Sequence, residues 1–157
     1  MLFRSYSFRN GRPKKNRIKG ACAVGVASQL ILGSCASYGR YQDAVLLKSL
    51  RRQSRSYGIR NHMLLADAGF DGRQTNLGDI ISPAVRRHGT LRASERIACA
   101  ELVAQARLDR LYGQRWKCET VRSVTKRKFG DTVCSRTTQL HFREVFVKGL
   151  IYNVHVL

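Results

Sequence analysis

Carboxylates are scarce in this chain. Its 157 residues include 10 Asp and Glu against 29 Lys and Arg, a formal net charge of +19, and the first 42 residues contain no Asp or Glu at all. A field that positive draws polyanions, nucleic acid first and an acidic membrane surface second. The basic residues run along the whole chain, which points to a groove or broad face and away from a detachable tail.

Other things are missing too. The five cysteines, Cys22, Cys35, Cys99, Cys118 and Cys134, include no CxxC. That argues against a zinc site or a disulfide framework and for reduced thiols. The histidines at 62, 88, 141 and 155 include no pair at ligand spacing, so each reads as a surface or core residue. No apolar run approaches the roughly 20 residues that cross a bilayer. The run ACAVGVASQLILGSCA, after basic residues 1–19, imitates a signal peptide with a lipoprotein-like LGSC ending at Cys35. The basic region is long for that role and Gln29 interrupts the apolar stretch, so two strands joined by a turn are the better reading. There is no internal repeat or low-complexity segment.

What is present is enough for one globular domain, with hydrophobic residues at 43%. Residues 1–16 are basic, carry Gly and Pro, and read as an irregular lead-in. Residues 17–26 and 29–38 are small, apolar and partly β-branched, an expected antiparallel strand pair turning at Ala27-Ser28. A helix is expected from about residue 41, with Val45, Leu46 and Leu50 on its inner face, Asp43 near its N-terminus and Gly58 as its stop. Residues 62–66, HMLLA, read as a strand ending at Asp67. A carboxylate there is either a catalytic group at a strand end or, like Asp71, the cap of the next turn. Residues 80–85 read as an edge strand because of Pro83, and residues 86–90 as a basic loop. Ser94 is the expected N-cap of a helix over 95–111. A core helix over 138–155 closes the chain. The order is that of an α/β fold with helices packed on a mixed sheet.

One stretch stands out, YGQRWKCETVRSVTK at 112–126. Tyr112, Arg115, Glu119, Arg122 and Lys126 recur at steps of 3, 4, 3 and 4, one face of an α-helix. The plain reading is a solvated basic face. The chemical reading is a carboxylate that holds a divalent metal beside a phosphate backbone. DNA phosphoryl transfer commonly uses two metal ions held by carboxylates from separate elements, and Mg²⁺ completes its octahedron with water and phosphate. Asp67 and Glu119 are the candidate catalytic and metal-binding pair. Arg115 would clamp a phosphate, Arg122 and Lys126 would lie along the backbone, and Tyr112 would stack on a base or bond a phosphate. Trp116 either stacks or fills the core.

YGQRWKCETVRSVTKRKFG resembles the signature of prokaryotic insertion-sequence transposases of the DDE class. There Tyr, two residues, Arg, three residues, Glu, six residues and Lys recur, here Tyr112, Arg115, Glu119 and Lys126. LLADAGFDG resembles the segment of the second catalytic Asp, which places Asp67 there. RYQDAVLLKSL and the late IYN also fit, and Asp43 is not a metal ligand in that family. The resemblance covers residue 17 to the end. It implies an RNase H-like fold, an Asp-Asp-Glu triad with Mg²⁺ or Mn²⁺ of two-metal type, and DNA cleavage and strand transfer at inverted-repeat ends. It also implies oligomers in the prokaryotic cytoplasm, associated with the nucleoid. The family's first Asp lies upstream of the strand pair, where this sequence has none. The expectation is therefore a C-terminal part of a transposase, inactive alone, either a relic or the partner of an N-terminal half encoded upstream. The rival readings are a non-catalytic basic nucleic-acid-binding protein and a lipoprotein anchored through Cys35.

Overall fold

The small apolar run does form a hairpin. The computed structural model describes the backbone of residues 2–9 and 12–17 and, in full, residues 18–38, 43–58, 63–71, 79–84 and 94–157. Strand β1 is Leu2–Arg9, β2 is Arg12–Val24 and β3 is Ile31–Tyr38. All three pair antiparallel, with Ile18 opposite Tyr38 and Ala21 opposite Cys35. The expected irregular lead-in is thus largely strand. Phe3, Tyr6 and Phe8 give residues 2–9 the aromatic content that favours a pleated surface. The turn spans 25–30 rather than two residues. The Gly25 amide donates to the Leu30 carbonyl at 2.9 Å, and Gln29 takes a φ of 56°.

Helix α1, Asp43–Ser56, crosses this sheet. A Cβ on Gly33 would meet the Leu50 carbonyl oxygen at 3.0 Å, so the absent side chain lets α1 lie close on β3. The expected inner face is rotated. Leu47 and Leu50 are buried, while Val45 is 56% exposed. Leu47 is the residue that packs on Ala66 and Ile81. The helix ends at Gly58, φ 74°, as its sequence suggests.

Two short strands follow, β4 at Leu65–Ala66 and β5 at Ile80–Ile81, parallel and in a sheet of their own. The expected single sheet is therefore divided. Its larger part runs β3-β2-β1-β6, where β6, Thr132–Val133, lies parallel to β1 and was not foreseen. His62, Gly72, Val85 and the basic loop at 86–90 lie outside the described residues.

Helix α2, Ser94–Leu108, packs Val103 and Ala106 on Ile80. It stops three residues before the expected end, where Arg110 takes φ 57°. The chain then makes a 3₁₀ turn, Tyr112–Arg115, before helix α3, Trp116–Phe129. The polar row is consequently shared between two elements and is not one α-helical face. Gly130, φ 77°, ends α3.

Helix α4, Thr138–Val156, buries Val145, Gly149 and Tyr152 along one face. Phe146, Leu150 and Ile151 are about half exposed, so the expected core helix buries one face and leaves the other open. Its polar residues anchor β6. Lys148 donates to the Thr132 carbonyl at 2.6 Å, and the Glu144 carboxylate accepts the Cys134 and Ser135 amides and the Ser135 hydroxyl. Partial burial opposes the Glu144 charge, but the Ser135 hydroxyl, the two amides and Lys148 outweigh it and hold the carboxyl below its usual range.

Candidate active site

β4 delivers Asp67 to the surface. The residue N-caps the 3₁₀ turn Ala68–Phe70, and its Oδ1 accepts the Gly69 amide at 3.0 Å. So Asp67 caps the turn, as one of the two readings held, and it also faces a cleft. Asp71 is committed elsewhere. Its Oδ2 accepts the Ala84 amide at 2.8 Å and pairs with Arg96 at 2.6 Å, pinning the turn to β5 and α2.

The cleft, about 540 Å³, lies between the β2–β3 hairpin, α1, the end of β4 and the start of α3. Asp43, Asp67 and Phe70 line it, as do Gln114, Arg115, Lys117, Glu119 and Arg122. Glu119 sits in the first turn of α3, where the helix dipole favours a carboxylate. It is 54% exposed and pairs with Arg115 at 2.6 Å, one helical turn back. Lys117 fastens the start of α3 to the hairpin by donating to the Val26 carbonyl at 3.0 Å.

Four of the six sequence-predicted site residues, Asp67, Arg115, Glu119 and Arg122, thus line one cleft. Tyr112 and Lys126 are not among the described residues that line it. Tyr112 is turned to the protein. Its hydroxyl donates to the Ala66 carbonyl at 3.2 Å, and the Arg107 guanidinium stands 5.4 Å from its ring centroid. Lys126 follows Arg122 by one turn of α3, half-buried. Trp116 is 54% exposed and so is not core.

Sequence reasoning set Asp43 aside, yet the structure places it beside Asp67. A Cβ on Gly69 would lie 2.9 Å from Asp43 Oδ2 and 3.1 Å from Asp67 Oδ1. The two carboxylates are therefore within ~6 Å, close enough to feel each other's charge. Lys19, on β2, offsets this by pairing with Asp43 Oδ1 at 2.7 Å. No local pattern could have announced it, since it arises where α1 crosses the end of β4. Cys22 and Cys118 also line the cleft, their sulfurs 3.9 Å apart. The hydrogen bond from Cys22, helped by the Arg122 charge, brings the Cys118 thiol down to about 7, while the same bond and burial push Cys22 up.

Among the described residues, no three His, Cys, Asp or Glu side chains gather as a ready-made metal cage. Besides the two thiols, the cleft is lined by the carboxylates of Asp43, Asp67 and Glu119, the hard oxygen ligands Mg²⁺ prefers, and one or two suffice when water and a phosphate complete the shell. Asp67 and Glu119 are both carboxylates of that kind and both line the cleft. No helix among the described residues is long and apolar enough to cross a membrane.

The family model described as Transposase DDE domain matches residues 3–154. No curated protein and no solved structure matches the chain.

Proposed function

The chain belongs to the transposase DDE-domain family and so to DNA transposition, and from that premise we propose that its cleft takes a divalent metal and a DNA phosphate together. The observation that carries this is that Asp67 and Glu119, from elements far apart in sequence, line one cleft with Arg115 and Arg122. A pure DNA-binding face has no use for carboxylates, which repel phosphate unless a cation lies between. The antiparallel β1, β2 and β3 with β6 parallel to β1 support an RNase H-like reading of the core. The separation of β4 and β5 into their own sheet departs from it.

In this reading Asp67 and Glu119 hold Mg²⁺ or Mn²⁺. When bound, the metal would activate the attacking oxygen and stabilise the leaving one. The remaining work falls to the chain's own groups. The Gly69 amide fixes one Asp67 oxygen, which orients the other. Arg115 holds Glu119 in place and supplies donors for a phosphate oxygen. Arg122, and Lys126 further along α3, would neutralise flanking phosphates, and Tyr112 would set the height of α3 relative to Asp67 through its bond to Ala66. Residues 1–42 supply no carboxylate, and Asp43 is engaged by Lys19. We therefore expect metal-dependent DNA binding without cleavage unless a second copy or another polypeptide contributes a third carboxylate.

The test is a binding titration of a labelled duplex with and without Mg²⁺. The expected result is tighter binding with metal, lost in Glu119→Gln and in Asp67→Asn while metal-free binding persists. Equal affinity with and without metal in the unaltered chain would favour the rival reading, a non-catalytic binder in which Arg115–Glu119 is a surface ion pair.

A further inference from the structure

Five thiols are spread over the molecule, and only one pair of them is brought together among the described residues. Cys22 lies near the end of β2 and Cys118 in the first turn of α3, 96 positions apart in sequence with 3.9 Å between their sulfurs. Both are half-buried and both line the cleft. The others sit apart. Cys35 receives a hydrogen bond from Gln53 on α1, Cys99 is on α2, and Cys134 is exposed beside β6. A disulfide bond is about 2.0 Å long, so the two sulfurs need to close by less than one carbon–carbon contact distance. The elements that carry them, α3 and β2, already pack on each other. Cys22 itself packs, with Val24 and Val124, against the buried Ile31, Val121 and Tyr152.

We propose that Cys22 and Cys118 form an oxidisable dithiol, a modification site that a small hydroperoxide converts into a disulfide fastening α3 to β2. One sulfur, as thiolate, attacks the peroxide O–O bond and becomes a sulfenic acid, releasing an alcohol or water. The second sulfur then displaces that hydroxyl as water. Two thiol hydrogens and one peroxide yield one S–S bond and two hydroxyl-bearing products, so the two electrons lost by sulfur are those gained by the peroxide. The site stands whether or not the cleft holds DNA, because it rests only on where the two sulfurs lie. Its structural effect is to tie the helix bearing Glu119 and Arg122 to the central hairpin.

The experiment uses the full chain in a Cys134→Ser background, which removes the exposed thiol that would link molecules. Hydrogen peroxide is added, remaining thiols are blocked, and peptides are mapped without reduction. A Cys22–Cys118 linked peptide that forms at a rate independent of protein concentration, with slower hydrogen exchange across α3, is expected. Replacing either partner, Cys22→Ser or Cys118→Ser, should leave the other as a sulfenic acid trapped by dimedone. Because either change could disturb packing, bridging of the unaltered pair by phenylarsine oxide gives an independent reading. Predominant linkage through Cys35 or Cys99, or conversion of Cys22 and Cys118 to sulfinic acids with no link between them, would overturn the proposal.

Discussion

Tyr112 shows what a single side chain can be asked to do at this site. Its hydroxyl bonds the carbonyl of Ala66, the residue just before Asp67. Tyr112→Phe should cost ~1 kcal/mol, the net worth of one part-buried hydrogen bond, read as a lower urea midpoint at unchanged slope. An unaltered midpoint would show the bond to be idle. Glu144 makes a second residue-scale case. Its carboxyl is held below the usual value of 4.5. The unfolded chain therefore takes up a proton first as pH falls, and the stabilisation present above pH 4.5 is lost as pH drops through the folded value. Glu144→Gln should flatten the acid limb of a stability–pH curve, and a limb of unchanged steepness would contradict the assignment. The positions of Asp67, just after β4, and of Glu119, on a helix, were legible in the sequence because each has its own local context, an apolar strand and a helical spacing. The approach of Asp43 to Asp67 and of Cys22 to Cys118 was not, because both depend on how elements far apart in sequence pack.

At the scale of elements, the end of α1 at Gly58 was readable, while α2 stops at Leu108, short of its expected end. Gly58 and Gly130 stop α1 and α3 with positive φ, which a side chain resists. Thr137 caps α4 by accepting the Leu140 amide at 3.3 Å. Thr137→Ala should lower stability by ~1 kcal/mol, measured by thermal or urea unfolding, and it should leave DNA affinity unchanged because the cap is remote from the cleft. Helix phase was harder to read. The inner face of α1 turned out to contain Leu47 in place of Val45 because Ala66 and Ile81 decide where it packs. The spacing of the polar row reads as one helical face, but the 3₁₀ segment Tyr112–Arg115 divides it from α3. β6 has two residues, too few for any periodicity to show.

For the whole molecule, the net charge of +19 is a statement about partners more than about folding. Binding to a duplex should weaken steeply with salt, as bound phosphates release their counterions. Arg122→Ala should reduce the log–log salt slope by about 1 if it meets one phosphate. An unchanged slope would place DNA elsewhere on the surface. The α/β order of elements was visible in the sequence, because strand-like and helix-like periodicities alternate along it. The separation of β4–β5 from the larger sheet was not, since strand pairing between short segments is decided by the helices that cover them.

The central claim is that Asp67 and Glu119 share one metal in the presence of DNA. Iron-directed cleavage tests it most directly. Fe²⁺ replaces Mg²⁺ in the chain–duplex complex, ascorbate and peroxide generate radicals at the metal, and the polypeptide cuts are mapped. The account predicts cuts beside both Asp67 and Glu119, suppressed by excess Mg²⁺ and absent in Glu119→Gln. Cuts at only one of the two, or elsewhere in the chain, would contradict it.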